Sequence, residues 1–341
     1  MSRLEAFLDN TPGEVRGVVM RDGRPEHLII YRDDDDPQLR LGARSVGRVI
    51  DAPAGLKGAF IELGSTSAPG FLPLRASEKV LVGAKVEVEV VAERRESKGV
   101  VLRMLGAGEG APRLLSPAPT VPEILEQLAP GVEQIAGRAA IEAGLEAEEE
   151  AASSVGKYPD TGLDLMVERT RALIAVDLDL AATPGPGTGG KARDRANRQG
   201  LREAARIMRL RRWGGLVAID LIGVGHDGAA ILSAAREAFG SDPDIVYGPI
   251  NRFGVLQLAL PWRRTPLEEV IDSRSVLTRA IAVTRRLKLE LMSDTTRARV
   301  VARCAPDDAA LAAPLVARLG PRAGVRADPA LAPGAIVVEE G

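Results

Sequence analysis

Residues 169–180 read RTRALIAVDLDL and residues 212–224 read RWGGLVAIDLIGV. Each holds a short apolar run that predicts a β-strand, ALIAV before Asp177 and GLVAI before Asp220. Each run then carries acid where a buried strand stays apolar, and a lone carboxylate there is costly unless it is paired or binds a cation. Asp177 and Asp179 are two residues apart, so on a strand both point to the same face. Strands lying side by side would gather Asp177, Asp179 and Asp220 into an oxygen-ligand site for one hard divalent ion such as magnesium. Salt bridges from nearby arginines to the same three aspartates would be a purely structural alternative.

Between the two runs lie a glycine-rich basic loop and an arginine-rich helix. In the loop, Gly185, Gly190 and Lys191 fit the spacing G-x-x-x-x-G-K of a phosphate-binding loop. Ala192 stands where that motif needs a hydroxyl, and Pro184 and Pro186 suit a tight cradle poorly. The stretch reads as a basic, substrate-facing loop, with a nucleotide hydrolase as its rival. Residues 200–212, GLREAARIMRLRR, predict a helix with Arg202, Arg206 and Arg209 at i, i+4 and i+7 on one face. Arg169 to Arg212 contain eleven Lys or Arg against four Asp or Glu, although the whole chain has a net charge of −2. Carboxylates set in a basic region suit a polyanionic substrate such as RNA or DNA. A solvated arginine-rich helix accounts for the same composition.

A chain of 341 residues with 45% hydrophobic and 27% charged residues has room for two or three ordinary globular domains. The single cysteine, Cys304, excludes an intramolecular disulfide and a cysteine-rich zinc site. It reads as a packed apolar residue rather than a nucleophile. No apolar run approaches the ~18 residues of a membrane span. The opening MSRLEAFLDNTPGEVRG lacks a signal-peptide core, so a cytoplasmic protein with no membrane partner is expected.

Five segments are expected. Residues 1–38 form an N-terminal β segment, with a hairpin turning at Asp22-Gly23. Residues 39–105 hold short β-like runs punctuated by Gly and Pro, among them the strictly alternating KVEVEVVAE, as in a small antiparallel barrel. Phe60 and Phe71 there are either core residues or, on a five-stranded barrel of the OB type, platforms for nucleic-acid bases. Residues 106–122 are a Gly/Pro-rich linker. Residues 123–265 contain the acidic strands, with Asp227 as a helix cap. Residues 266–341 open on one helix, PLEEVIDSRSVLTRAIAVTRRLKLEL, and end in a small α/β unit.

This order of parts resembles the bacterial ribonuclease E/G family. ALIAVDLDL, REAARIMRLRRWGGLVAIDLIGV and INRFGVLQL resemble its catalytic core. GAFIELGSTSAPGFLPL and SKGVVLRML resemble its RNA-binding barrel, and VRADPALAPGAIVV its small C-terminal domain. The resemblance implies a multidomain α+β and α/β protein. It has an OB-fold barrel inserted before a DNase-I-like, RNase-H-like catalytic region, with a small C-terminal α/β domain. It further implies a magnesium-dependent endoribonuclease acting on single-stranded RNA rather than DNA. Asp177 and Asp220 would hold one Mg2+, Asp179 would stand where the family has an asparagine, and Phe60, Phe71 and Lys98 would grip RNA.

Three departures bear on activity. Only residues 106–122 stand where the family inserts a 5′-monophosphate sensor. The cysteine link that binds zinc between protomers is absent, so no zinc and a monomer or weak homodimer are expected. An acid usual three residues after the Asp220 position is Gly223 here. A catalytically weak or inactive RNA-binding relative is therefore the alternative reading.

Overall fold

A computed structural model of the chain describes residues 3–64, 68–75, 78–180 and 190–341. The chain divides into two units, residues 1–147 with 264–341, and residues 148–263.

The first unit begins with an antiparallel meander of β1 (Leu4–Thr11), β2 (Glu14–Arg21) and β3 (Arg24–Arg32). The β2–β3 turn puts Asp22 and Gly23 at φ 52° and 75°, the mirror-image turn that matches strand twist. Five strands then close on themselves: β4 (Arg44–Asp51), β5 (Gly58–Glu62), β6 (Gly70–Pro73), β7 (Lys85–Ala92) and β8 (Val101–Ala107). Neighbours run β4-β5-β6-β8-β7 and back to β4. The alternation in β7 turns Val86, Val88 and Val90 into the core beside Ile61, Leu72 and Leu102. One pairing, β6 with β8, is parallel, so the barrel is not wholly antiparallel as its spacing suggests.

The stretch expected to be a linker is largely part of this unit. Within it β9 (Arg113–Ser116) pairs with β4, Ser45 facing Leu114, and Ala118 is buried. Glycine and proline frequency reads as a linker, but a four-residue strand with one apolar contact suffices to fix it. The helix α1 (Val121–Leu128) follows, its start closed by reciprocal Thr120 and Glu123 bonds. It lays Val121, Ile124 and Leu125 on Ala6, Val19 and Ile29 of the meander. Next, β10 (Gln134–Ile135) extends β1, and α2 (Arg138–Ala152) leads out of the unit. Residues 123–147 thus pack with the N-terminal sheet, not with the acidic strands.

The second unit has six strands: β11 (Val155–Tyr158), β12 (Leu163–Arg169), β13 (Ile174–Leu180), β14 (Gly215–Asp220), β15 (Val246–Ile250) and β16 (Val255–Leu260). Their order is β11-β12-β13-β14-β16-β15. Only β13 and β14 pair in parallel, since the crossover α3 (Gly190–Arg211) returns the chain to the start of the sheet. With α4 (Gly228–Phe239), α3 contributes the helical side of the core under Leu165, Val176, Leu178, Val217 and Ile219. Gly200 lets α3 approach closely, because a Cβ there would meet Leu178 Cδ2 at 2.6 Å.

Residues 264–341 return to the first unit. The predicted long helix is two, α5 (Leu267–Val270) and α6 (Val276–Ser293), because Ser275 caps a new start. Then β17 (Val300–Cys304), α7 (Pro306–Ala317), β18 (Ala323–Ala327) and β19 (Val337–Glu340) form a sheet ordered β18-β17-β19. Cys304 is fully buried, and burial pushes its thiol up. Among the described residues no helix is long and apolar enough to cross a membrane.

A buried ion network joins α6 to the meander. Glu14 accepts from Arg16 (2.5 Å), Arg285 (2.6 Å) and Arg32 (2.9 Å), while Asp9 takes Arg285 and Lys288. Burial alone would push the Glu14 carboxyl up, but the surrounding guanidiniums outweigh it and hold it at about 2. Glu14→Gln leaves three buried cations short of charge, and denaturant melts should lose about 3–5 kcal/mol. Because the folded pKa lies below the ordinary 4.5, the stabilisation is complete above that pH and is lost as pH falls toward 2. The variant should show a flatter acid limb than the wild type.

Candidate active site

Strand alternation decides where the acids lie. In β13, Ile174, Val176 and Leu178 are buried while Ala175, Asp177 and Asp179 are exposed. In β14, Val217 and Ile219 are buried and Asp220 is exposed. The two strands are therefore not buried on both faces, as their apolar runs suggest: the unit's two helices lie on one face, and the carboxylates occupy the other. Asp177 and Asp220 are direct register partners in the parallel pair. Their Cα atoms are thus separated by about one strand spacing, ~4.8 Å, with both side chains on one face. Asp179 follows two residues on, opposite Asp164 of β12.

Asp164 is a fourth acid that the sequence reading missed. Its signal was present, since Leu163-Asp164-Leu165 repeats the Leu178-Asp179-Leu180 pattern, but only the register shows that the two face each other. Partial burial, then the neighbouring charges of Asp220, Asp179 and Asp164, push the Asp177 carboxyl above its ordinary range. Among the described residues no Lys or Arg forms an ion pair with any of the four, which removes the salt-bridge explanation. Asp179 Oδ1 accepts from the Leu180 N–H at 2.7 Å, which fixes one oxygen.

The set fits a hydrated ion better than a closed cage. Among the described residues no three Asp, Glu, His or Cys side chains converge as a ready metal cluster. Magnesium commonly takes one or two carboxylates and keeps several waters, and the facing pair Asp177 and Asp220 is that kind of donor.

Beyond Asp220 the chain turns through Gly223 at φ +83°, where a Cβ would meet Arg193 Nη1 at 2.8 Å. An acidic side chain at this position would be strained, and the space belongs to Arg193, whose Nε is buried without a partner. Asn197, fully buried, clamps the same turn by bonding both the N–H (2.9 Å) and the carbonyl (3.3 Å) of Ile222. His226 Nε2 lies 2.8 Å from the Gly223 carbonyl oxygen, and Asp227 caps α4 by accepting from Ala229 and Ala230. His226 and Asp227 thus shape the turn rather than form a dyad.

Residues 119–260, which hold both acidic strands, match the family model described as Ribonuclease E/G family. Over this segment the chain is similar to the ribonuclease E/G family. No curated protein sequence matches the chain. The matched segment ends at the last residue of β16 and leaves out the barrel.

Within the matched segment the arginines of α3 divide into two groups. Arg206 is buried, paired with Glu150 at 2.5 Å and Glu203 at 2.9 Å, and Tyr158 donates to the same Glu203. Arg209 donates to the Ala238 carbonyl at 2.9 Å. Both tie the helix to its neighbours; Arg206 is buried there and so is not presented to a ligand, while Arg209 is half-buried. Glu150 lies 56 residues away in sequence, so its pairing with Arg206 was invisible there. Arg202 is exposed, in line with Lys191, Arg195 and Arg198 at i, i+4, i+7 and i+11. This stripe, ~16 Å long, faces away from the sheet, so the sheet lies between it and the acids. Of the proposed phosphate loop, Gly190 and Lys191 open α3, whereas Gly185 lies outside the described residues.

The barrel brings Phe60 and Phe71 together. They are cross-strand partners, half-buried, with ring centroids 5.6 Å apart and planes tilted by 59°. Neighbouring Ala59, Ile61 and Leu72 fill the barrel core, so the rings form a pair on its outside. Lys98 is exposed in the tight turn Arg95–Lys98, three residues before Val101, the β8 partner of Phe71.

Asp177→Asn removes one charge from four crowded acids. A thermal melt near neutral pH without divalent ions should show Tm up by roughly 1–2 °C. The gain should shrink as pH falls, because the raised wild-type Asp177 then takes up a proton itself. A lower Tm for the variant would contradict this reading of the cluster.

Proposed function

We propose that this chain is an endoribonuclease of the ribonuclease E/G kind that hydrolyses single-stranded RNA at the acidic face of its six-stranded sheet. The observation that carries the reading is the register pairing of Asp177 with Asp220 on the open face, with no Lys or Arg among the described residues paired to either. Asp177 and Asp220 would hold one Mg2+, which when bound polarises a phosphodiester and lowers the pKa of an attacking water. Asp179, with one oxygen fixed by its neighbour's N–H, keeps the other free to accept a hydrogen bond from that water. Asp164, opposite it on β12, adds a second carboxylate beside that position. Arg193, beside the turn after Asp220, is a cation placed to neutralise a phosphate of the bound strand. Products would carry 5′-phosphate and 3′-hydroxyl ends.

The closed five-strand ring with its single parallel pair supports an OB-type barrel as the RNA-binding part. Phe60 and Phe71 would stack bases, with Lys98 on a phosphate. Loss of either ring to alanine should weaken RNA binding about tenfold with little change in Tm. Since Arg202 is exposed and Arg206 is not, Arg202→Ala should lessen the salt dependence of binding, and Arg206→Ala should instead lower Tm.

End-labelled, A/U-rich single-stranded RNA incubated with the protein tests the activity. Cleavage should need magnesium and fall at least a hundredfold in Asp177→Asn and Asp220→Asn. Magnesium-independent binding without any product would support the non-cleaving alternative. Cleavage persisting in both variants would remove the site assignment. Substrates with 5′-monophosphate and 5′-triphosphate ends should be cut at similar rates.

A further inference from the structure

The hairpin between β15 and β16 carries an aromatic side chain that neither the core nor the acidic cluster uses. Phe253 is 67% exposed, the most exposed aromatic among the large apolar side chains of the described residues. Its position is fixed nonetheless. Asn251 Oδ1 accepts from the Phe253 N–H at 2.9 Å and from the Val255 N–H at 3.1 Å, so the turn's own side chain holds it. Gly254, at φ +88°, has no room for a side chain, because a Cβ would sit 2.9 Å from the Gly223 carbonyl oxygen. Leu221 N–H reaches the Gly254 carbonyl at 3.4 Å, and Val255 is the cross-strand partner of Asp220. The ring therefore stands two residues from the partner of a proposed metal ligand, on a turn locked to the one that follows Asp220. The Arg252 guanidinium lies 4.9 Å from the ring centroid, adding positive charge to the aromatic surface.

We propose that Phe253, with Arg252 beside it, is a stacking platform for an RNA base next to the phosphate brought to Asp177 and Asp220. This rests on the endonuclease reading for the identity of the ligand. An exposed ring held at low entropy cost, flanked by a cation, suits a flat base on a polyanionic strand; an apolar protein partner would leave the arginine without a role. Asn251 is a positioning residue that acts through Phe253.

The test uses the full chain with a short single-stranded RNA carrying 2-aminopurine, in EDTA so that nothing is cut. The wild type should quench the fluorophore at one position along the strand. Phe253→Ala should abolish that quenching and weaken binding about tenfold, Phe253→Trp should restore both, and Asn251→Ala should fall between. Quenching and affinity unchanged in Phe253→Ala would overturn the proposal, as would self-association of the wild type that the same change abolishes. Cleavage of the same RNA with magnesium is read separately. Quenching without cleavage leaves the platform standing and removes the nuclease reading; cleavage with Phe253→Ala indifferent does the reverse.

Discussion

The in-register parallel pairing of β13 with β14 is the constraint on which the second unit depends. It sets Val176 and Leu178 against α3 and, by strand alternation, puts Asp177 on the opposite face beside Asp220. A slip of β13 by one residue would turn Asp177 and Asp179 into the core and Val176 and Leu178 out to solvent. Core packing therefore fixes the register, and the register fixes the carboxylate pair. The crossover helix contributes through Gly200, where close approach to Leu178 leaves no slack for a shifted strand.

The two units treat charge in opposite ways. Glu14 and Asp9 are buried, and Arg16, Arg32, Arg285 and Lys288 satisfy them. Such a closed network holds its acids ionised and offers nothing to a ligand. The four aspartates of the sheet share one open face, Asp177 opposite Asp220 and Asp179 opposite Asp164, and partial burial together with their repulsion raises the proton affinity of Asp177. Like charges gathered in this way are destabilising, and such clusters are concentrated at functional sites. Arg206 is satisfied in the first of these ways although its sequence setting suggested the second.

What the sequence disclosed follows from how local each signal was. Asp177, Asp220 and the strands that carry them could be read because alternation and β-propensity act over a few residues. The facing of Phe60 and Phe71 was a possibility whose outcome depended on which side of the barrel they occupy. Arg206 is paired with Glu150, an acid at the end of α2 that is distant in sequence. Asp164 needed the antiparallel register, and the strand in residues 113–116 needed the exposed edge of β4 as partner. Phe253 lies in the stretch INRFGVLQL, where Asn251 and Gly254 make a turn that only the hydrogen bonds show.

The departures from the family pattern are less one-sided in space than in sequence. The resemblance implies an acid at the Gly223 position and an amide at the Asp179 position, and this chain has neither. One carboxylate is lost from the turn and one is present on β13, so the number near Asp220 is unchanged while its placement moves to the sheet face. At the turn, the left-handed glycine and the Arg193 side chain occupy the space together, which makes Gly223 part of a built arrangement rather than a simple deletion. A cation now lies beside the turn after Asp220, and the acids lie together on the strands. Opposite charges are placed apart in this way, which is the separation of roles that the proposed metal-assisted hydrolysis would use.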